Sequence, residues 1–292
     1  MTYRIENEFL VAEIAELGAE LVSLKLKDDG CEYIWQGDEK YWTGHAPIMF
    51  PICGRLIDGK YTYRGKSYEL GCHGFARHTK FSLVGAKNDE ITLSIKSDDS
   101  TREIYPFEFI FTVTFSLVGK ALSVKYNVKN TDSRELIFTL GGHPAFNVPL
   151  TSGEKFEDYY IEFARECDAT VLSMNDKCFC DGNDKLFTQG GTKRIDLRHS
   201  LFDIDAIFLY NTAKKASLLS NKSKKGVTLT FDNFKYMGLW HKPQSDAPYI
   251  CIEPWCGSPD FAGEVGDLEA KADMIHLPVG YSYSTKYKIE VK

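Results

Sequence analysis

Strict two-residue alternation dominates this chain and limits what it can fold into. From Phe109 to Leu117, the residues Phe109, Phe111, Val113, Phe115 and Leu117 fall on one side. Ile110, Thr112, Thr114 and Ser116 fall on the other. Successive side chains of a strand point to opposite faces, so this is the signature of a half-buried strand. Gly119-Lys120 follows as a turn. Leu122, Val124, Tyr126 and Val128 then alternate with Ser123, Lys125, Asn127 and Lys129, which predicts an antiparallel hairpin. The pattern recurs at Val22, Leu24 and Leu26, at Ile91, Leu93 and Ile95, and near the end at Tyr281, Tyr283, Tyr287 and Ile289. Tyr61 to Tyr68 reads as a further hairpin turning at Arg64-Gly65-Lys66.

Helical periodicity is nearly absent. Asp260 to Met274 has room for a short helix or two, weakened by Gly263 and Gly266. Many short strands with few helices predict an all-β chain, a large antiparallel β-sandwich. No Pro/Ser-rich linker or composition break appears, so residues 1–292 are expected to form one domain. Asn175 to Lys193, rich in Gly, Asp and Lys, reads as a surface excursion. Ser220 to Gly226 reads as a solvated hairpin tip. A chain of 292 residues buries roughly 75% of its unfolded surface, enough for a core without disulfides or metal.

The formal net charge of −6 argues against nucleic acid and anionic membrane surfaces as partners. No run approaches the length of a membrane span, and residues 1–8 lack the apolar stretch of a signal peptide. The eight cysteines are scattered without a C-x-x-C pair, the usage of reduced thiols in the cytoplasm. The Asn221-Lys222-Ser223 sequon then carries no weight.

Nucleophile-elbow, zincin and dinucleotide signatures are missing. Gly59 to Gly65-Lys66-Ser67 approaches a phosphate loop, but its spacing is off by one and it lies between alternating tyrosines. What remains is a set of proton-moving residues beside Gly or Pro. His73 lies between Gly71 and Gly74. His143 follows Gly141-Gly142 and precedes Pro144, where an apolar strand breaks. Glu253 follows Tyr249-Ile250-Cys251-Ile252 and precedes Pro254-Trp255. Each has a structural alternative: a backbone-bonded loop histidine, a capped strand end, a salt bridge to arginine. Together two histidines and a carboxylate make an acid–base set. They also match a zinc ligand set, but without local ligand spacing, so no metal is expected. Arg55 and Arg77 are candidate anchors for vicinal hydroxyls or a phosphate. Trp42, Trp240 and Trp255 could stack on a sugar face or simply pack.

These segments resemble the aldose 1-epimerase (galactose mutarotase) family, in its LacX-like branch. The matching pieces are Gly54-Arg55-Leu56-Ile57-Asp58-Gly59, His73-Gly74-Phe75-Ala76-Arg77, Gly142-His143-Pro144-Ala145-Phe146 and Ile252-Glu253-Pro254-Trp255. The resemblance implies a β-supersandwich with an open sugar cleft and cofactor-free interconversion of the anomers of a free aldose. It implies His143 as general acid, Glu253 as base, and His73 and Arg55 as substrate-positioning groups. Family members also use an aspartate in an Asp-x-x-Phe segment, which Asp205-Ala206-Ile207-Phe208 fits, with Asp203 nearby as the competitor. Arg77 and Trp240 complete the expected binding set. At their reference pKa values, Glu253 is expected ionised, and His143 is expected to need a nearby carboxylate to hold its proton. Two other activities fit the same scaffold. A hexose-6-phosphate epimerase would use Arg55 and Arg77, with Lys80 or Lys242 as helpers. A carbohydrate-binding protein would bind without turnover. The expected partner is a small-molecule sugar, and the chain is expected to be a monomer or homodimer.

Overall fold

The computed structural model describes residues 1–292. It contains 24 strands, one six-residue α-helix (Asp99–Ile104) and four single 3-10 turns. No helix is long and apolar enough to cross a membrane.

The alternating segments build a nine-stranded antiparallel sheet. Its order is Thr192–Asp196, Tyr159–Cys167, Lys215–Ser220, Gly226–Thr230, Ser282–Val291, Ala121–Asn130, Phe109–Val118, Glu90–Lys96 and Ser82–Ala86. The expected hairpin is at its heart. Phe111 pairs with Val128, Val113 with Tyr126, Phe115 with Val124 and Leu117 with Leu122. All five odd positions from Phe109 to Leu117 are buried and the intervening ones are not. Burying one such Phe contributes about 1.5–3 kcal/mol. A one-residue slip would expose the whole set, which fixes the register. The Lys60–Tyr63 and Lys66–Glu69 strands form the other expected hairpin, with Arg64 and Gly65 both at positive φ.

An eight-stranded sheet carries Glu253. Its path runs Lys185–Leu186, Thr170–Val171, Ile207–Tyr210, Tyr236–Trp240, Tyr249–Trp255, Gly141–Gly142 and Ile48–Met49, and Ala145–Asn147 also pairs with Tyr249–Trp255. A hydrophobic cluster of 68 buried residues draws on both ends of the chain, from Ile5 to Val291.

Two expectations need correction. Asp260 to Met274 holds no helix. Its backbone groups are taken by distant segments instead. Asp260 N–H donates to Arg55 O, Thr62 N–H to Gly266 O, and Leu268 N–H to Thr62 O. The Asn175–Lys193 excursion is not wholly peripheral. Cys180 within it is fully buried, and Cys180 N–H donates to Asp260 O at 2.9 Å.

Candidate active site

The Tyr249–Trp255 strand is buried on both faces. Ile250 and Ile252 join the main core, whereas Tyr249, Cys251, Glu253 and Trp255 face the other way. Alternation therefore puts the single carboxylate of an apolar strand on the face opposite the core. On one side Gly238 pairs with Glu253. A Cβ at Gly238 would sit 3.2 Å from that of Glu253, so glycine makes room for the carboxylate. On the other side Gly141 pairs with Trp255 and Ala145 with Cys251. Counting inward from both pairs, His143 stands opposite Glu253. The intervening chain has no room for larger residues, because a Cβ at Gly141 would lie 2.7 Å from Met49 Cε and one at Gly142 2.9 Å from the Tyr287 ring. His143 N–H donates to Pro47 O at 3.0 Å.

These constraints bring His143 Nε2 to 3.3 Å from Glu253 Oε2. The Trp255 indole N–H donates to the same carboxylate oxygen at 3.0 Å. Trp42 lies over the His143 ring at 5.1 Å between centroids, and Trp240 meets it edge-on at 5.6 Å. Glu253 is only 1% exposed, and no arginine pairs with it. The expected alternative of a salt bridge to arginine is absent.

Nine residues singled out from sequence line one cleft of about 300 Å³: Arg55, His73, Arg77, His143, Asp205, Glu253 and the three tryptophans Trp42, Trp240 and Trp255. His73 adopts φ 66° beside Gly74 at φ 72°. A Cβ at Gly74 would stand 2.3 Å from Phe50 O, so only glycine permits that approach. The turn exchanges hydrogen bonds with Gly54: His73 N–H donates to Gly54 O, and Gly54 N–H donates to His73 Nδ1 at 3.1 Å. Accepting at Nδ1 leaves the neutral ring's proton on Nε2, a donor. Asp205 lines the cleft and Asp203 does not. The Asp205 carboxylate accepts from the Cys178 thiol at 2.8 Å and lies 3.8 Å from Arg55 Nη2. The expected phosphate helpers are elsewhere: Lys80 pairs with Glu16 at 3.0 Å, and Lys242 donates to Lys40 O at 2.9 Å.

Burial controls the ionisation. Desolvation drives His143 down to about 3, with the Arg77 charge adding to it. Desolvation also holds Glu253 well above its ordinary range, against the opposing indole hydrogen bond and with Asp205 adding to the rise. His73 is likewise pushed well below its usual value, first by burial and then by His143 and the two arginines. Both shifts run against the expected free-state charges: burial favours a neutral imidazole and a protonated carboxyl, with Nε2 and Oε2 near enough to share a proton.

Sequence reasoning did not reach every lining residue. Met174 comes from just before the excursion and Cys178 from within it, and no local signal marks them. The Trp255 contact was readable, since it lies two residues from Glu253 and so on the same face. The compact donor set is not the one weighed from sequence either. His143, Cys251 and Glu253 place one possible ligand atom each within 4.8 Å of the others, whereas His73 Nδ1 is engaged by Gly54. A second cavity of about 330 Å³ lies under residues 260–272, with Asp260, Glu264, Asp267 and Lys271 as its only charged groups and no histidine.

A sequence model described as aldose 1-epimerase matches residues 1–290. The chromosomal protein LacX of Lactococcus lactis subsp. lactis is 37% identical over 279 residues, 93% of each chain. A galactose mutarotase-like protein from Lactobacillus casei ATCC 334 is 34% identical with a TM-score of 0.95, covering 100% of both chains. A galactose mutarotase related enzyme from Lactobacillus acidophilus is 34% identical with a TM-score of 0.94, covering 100% of this chain and 97% of that one.

Proposed function

Since this chain belongs to the aldose 1-epimerase family, we propose that it interconverts the α and β anomers of a free hexose, as a single domain and without a cofactor. The observation that carries this reading is the 3.3 Å separation of His143 Nε2 and Glu253 Oε2 on the floor of the cleft. Mutarotation takes a proton from O1 and gives one to O5. Both oxygens are bonded to C1, so the acid and the base must be neighbours.

The reaction starts from the singly protonated pair. Sugar hydroxyls entering the cleft hydrogen-bond the carboxylate and favour transfer of the shared proton to His143. The imidazolium then rests against the Trp42 face, a contact worth roughly 0.5–2 kcal/mol to a cation. Glu253 accepts the O1 proton while His143 protonates O5, the C1–O5 bond breaks, and an open-chain aldehyde forms. Rotation about C1–C2 turns the other carbonyl face toward O5. The reverse proton transfers close the ring as the other anomer, and the pair again holds one proton. His73 Nε2–H, Arg55 and Asp205 fix the sugar's hydroxyls, and Trp240 offers an apolar wall to a ring face.

A phosphohexose substrate is the second reading, favoured by the presence of both guanidiniums, Arg55 and Arg77, in the cleft. Polarimetry of freshly dissolved α-glucose, α-galactose and glucose 6-phosphate separates the possibilities. Faster relaxation of a free sugar supports the proposal. Acceleration of the phosphate ester alone moves the assignment to the second reading. No acceleration of any of them leaves a carbohydrate-binding protein.

A further inference from the structure

We propose that His143, Cys251 and Glu253 form a binding site for a thiophilic divalent cation of the zinc class, one that shuts the cleft to sugar. Cys251 and Glu253 share a face of the Tyr249–Trp255 strand, and His143 stands opposite Glu253. One donor atom from each lies within 4.8 Å of the others, and all three side chains are buried.

The geometry suits the ion. Zinc bonds of about 2.0–2.1 Å to nitrogen and oxygen in a tetrahedron imply an N···O edge of about 3.3–3.4 Å. The observed Nε2···Oε2 distance is 3.3 Å. A zinc–sulfur bond of about 2.3 Å implies edges to sulfur of about 3.5–3.6 Å, so the thiol need close by about 1 Å. Two buried atoms here, His143 Nδ1 and Glu253 Oε1, have no hydrogen-bond partner. The Trp255 indole holds the carboxylate in place as an outer-shell donor.

Charge also balances. On binding, the Cys251 thiol and the Glu253 acid each release their proton to solvent. One thiolate and one carboxylate then cancel the two positive charges of the ion, so the dry floor gains no net charge. Three protein ligands leave a fourth coordination position open, and the ion occupies both groups that the sugar reaction needs. Only that competition rests on the proposed activity; binding itself does not.

The test titrates Zn²⁺ and Co²⁺ into the intact protein, followed by calorimetry and absorption. One tightly held ion per chain is expected, with a thiolate-to-cobalt charge-transfer band. In Cys251→Ser and Cys251→Ala the band should vanish and affinity should fall at least about 10–100-fold, the loss seen even for outer-shell partners. Both variants should keep the wild-type circular dichroism, and either alone suffices if the other misfolds. A band or affinity that survives both changes would place the ion elsewhere and overturn the proposal, as would failure of the wild type to bind at stoichiometric concentration. Added galactose or glucose should weaken zinc binding. If neither galactose nor glucose does so while the Cys251 effects hold, the metal site stands but the claim that it shuts the cleft to sugar is overturned.

Discussion

His143, between two short strands that both pair with the Tyr249–Trp255 strand, faces Glu253 with Nε2 and Oε2 3.3 Å apart, and in the proposed reaction one proton serves both. That proton count has consequences for pH, stability and turnover.

The first concerns pH. A second proton joins the pair only on the acid side, since His143 is held at about 3. The pair loses its single proton only above the ordinary carboxylate range, since burial raises Glu253. Moving the proton between the two groups leaves the total unchanged. kcat/KM, corrected for spontaneous mutarotation, should therefore hold level between the lowered His143 value and the raised Glu253 value, and fall on either side. An independent histidine acid would lose activity as pH rises through about 6.5, and that profile would count against a shared proton.

The second concerns stability. The folded-state pKa of Glu253 lies above its unfolded value of about 4.5, so ionisation opposes folding. The stability this group contributes is complete below the unfolded pKa and is lost as pH rises toward the folded one. Glu253→Gln keeps the shape without the acid. The variant should melt higher than wild type, with a gap that widens as pH is raised above about 4.5. Thermal unfolding across pH measures it.

The third concerns substrate binding. Arg55→Ala removes a guanidinium from the cleft and leaves Asp205 without its 3.8 Å counter-charge. Charge-assisted hydrogen bonds contribute about 1.5–3 kcal/mol, so KM should rise roughly 10–100-fold while kcat changes little. Steady-state kinetics on the preferred sugar would show the split.

The fourth concerns the frame behind Arg55. Asp260 Oδ2 accepts from Ile57 N–H at 2.9 Å, Asp260 N–H donates to Arg55 O at 2.9 Å, and Lys271 Nζ lies 2.7 Å from Asp260 Oδ1. This ion pair is nearly enclosed, with side chains 7% and 13% exposed. Asp260→Ala leaves a buried ammonium unpaired, at a cost of about 3–5 kcal/mol. It should lower Tm and raise KM together, the latter because the Arg55 segment loses its tether.

The fold was legible where one physical constraint repeats. Phe109 to Leu117 needs a single buried face, and only a strand supplies one for that spacing. His73, His143 and Glu253 were legible because each sits where Gly, Pro or an apolar run leaves a polar group little structural reason to be. The helix expected within Asp260 to Met274 failed because local composition does not reveal that Arg55 and Thr62 take its backbone hydrogen bonds. Cys178 meets Asp205 through tertiary folding alone, with no local pattern to mark it. The direction of the pKa shifts was hidden for the same reason: reference pKa values describe groups in water, and desolvation at His143 and Glu253 appears only when neighbouring segments close over them.

The most direct test of the central claim is anomer exchange followed by saturation-transfer NMR on the sugar that wild type turns over, with wild type, Glu253→Gln and His143→Gln compared at matched saturation. Each variant should still bind sugar and should lose about 10²–10⁴-fold in exchange rate, the usual contribution of one acid–base group. Wild-type exchange in either variant would contradict the assignment of proton transfer to this pair.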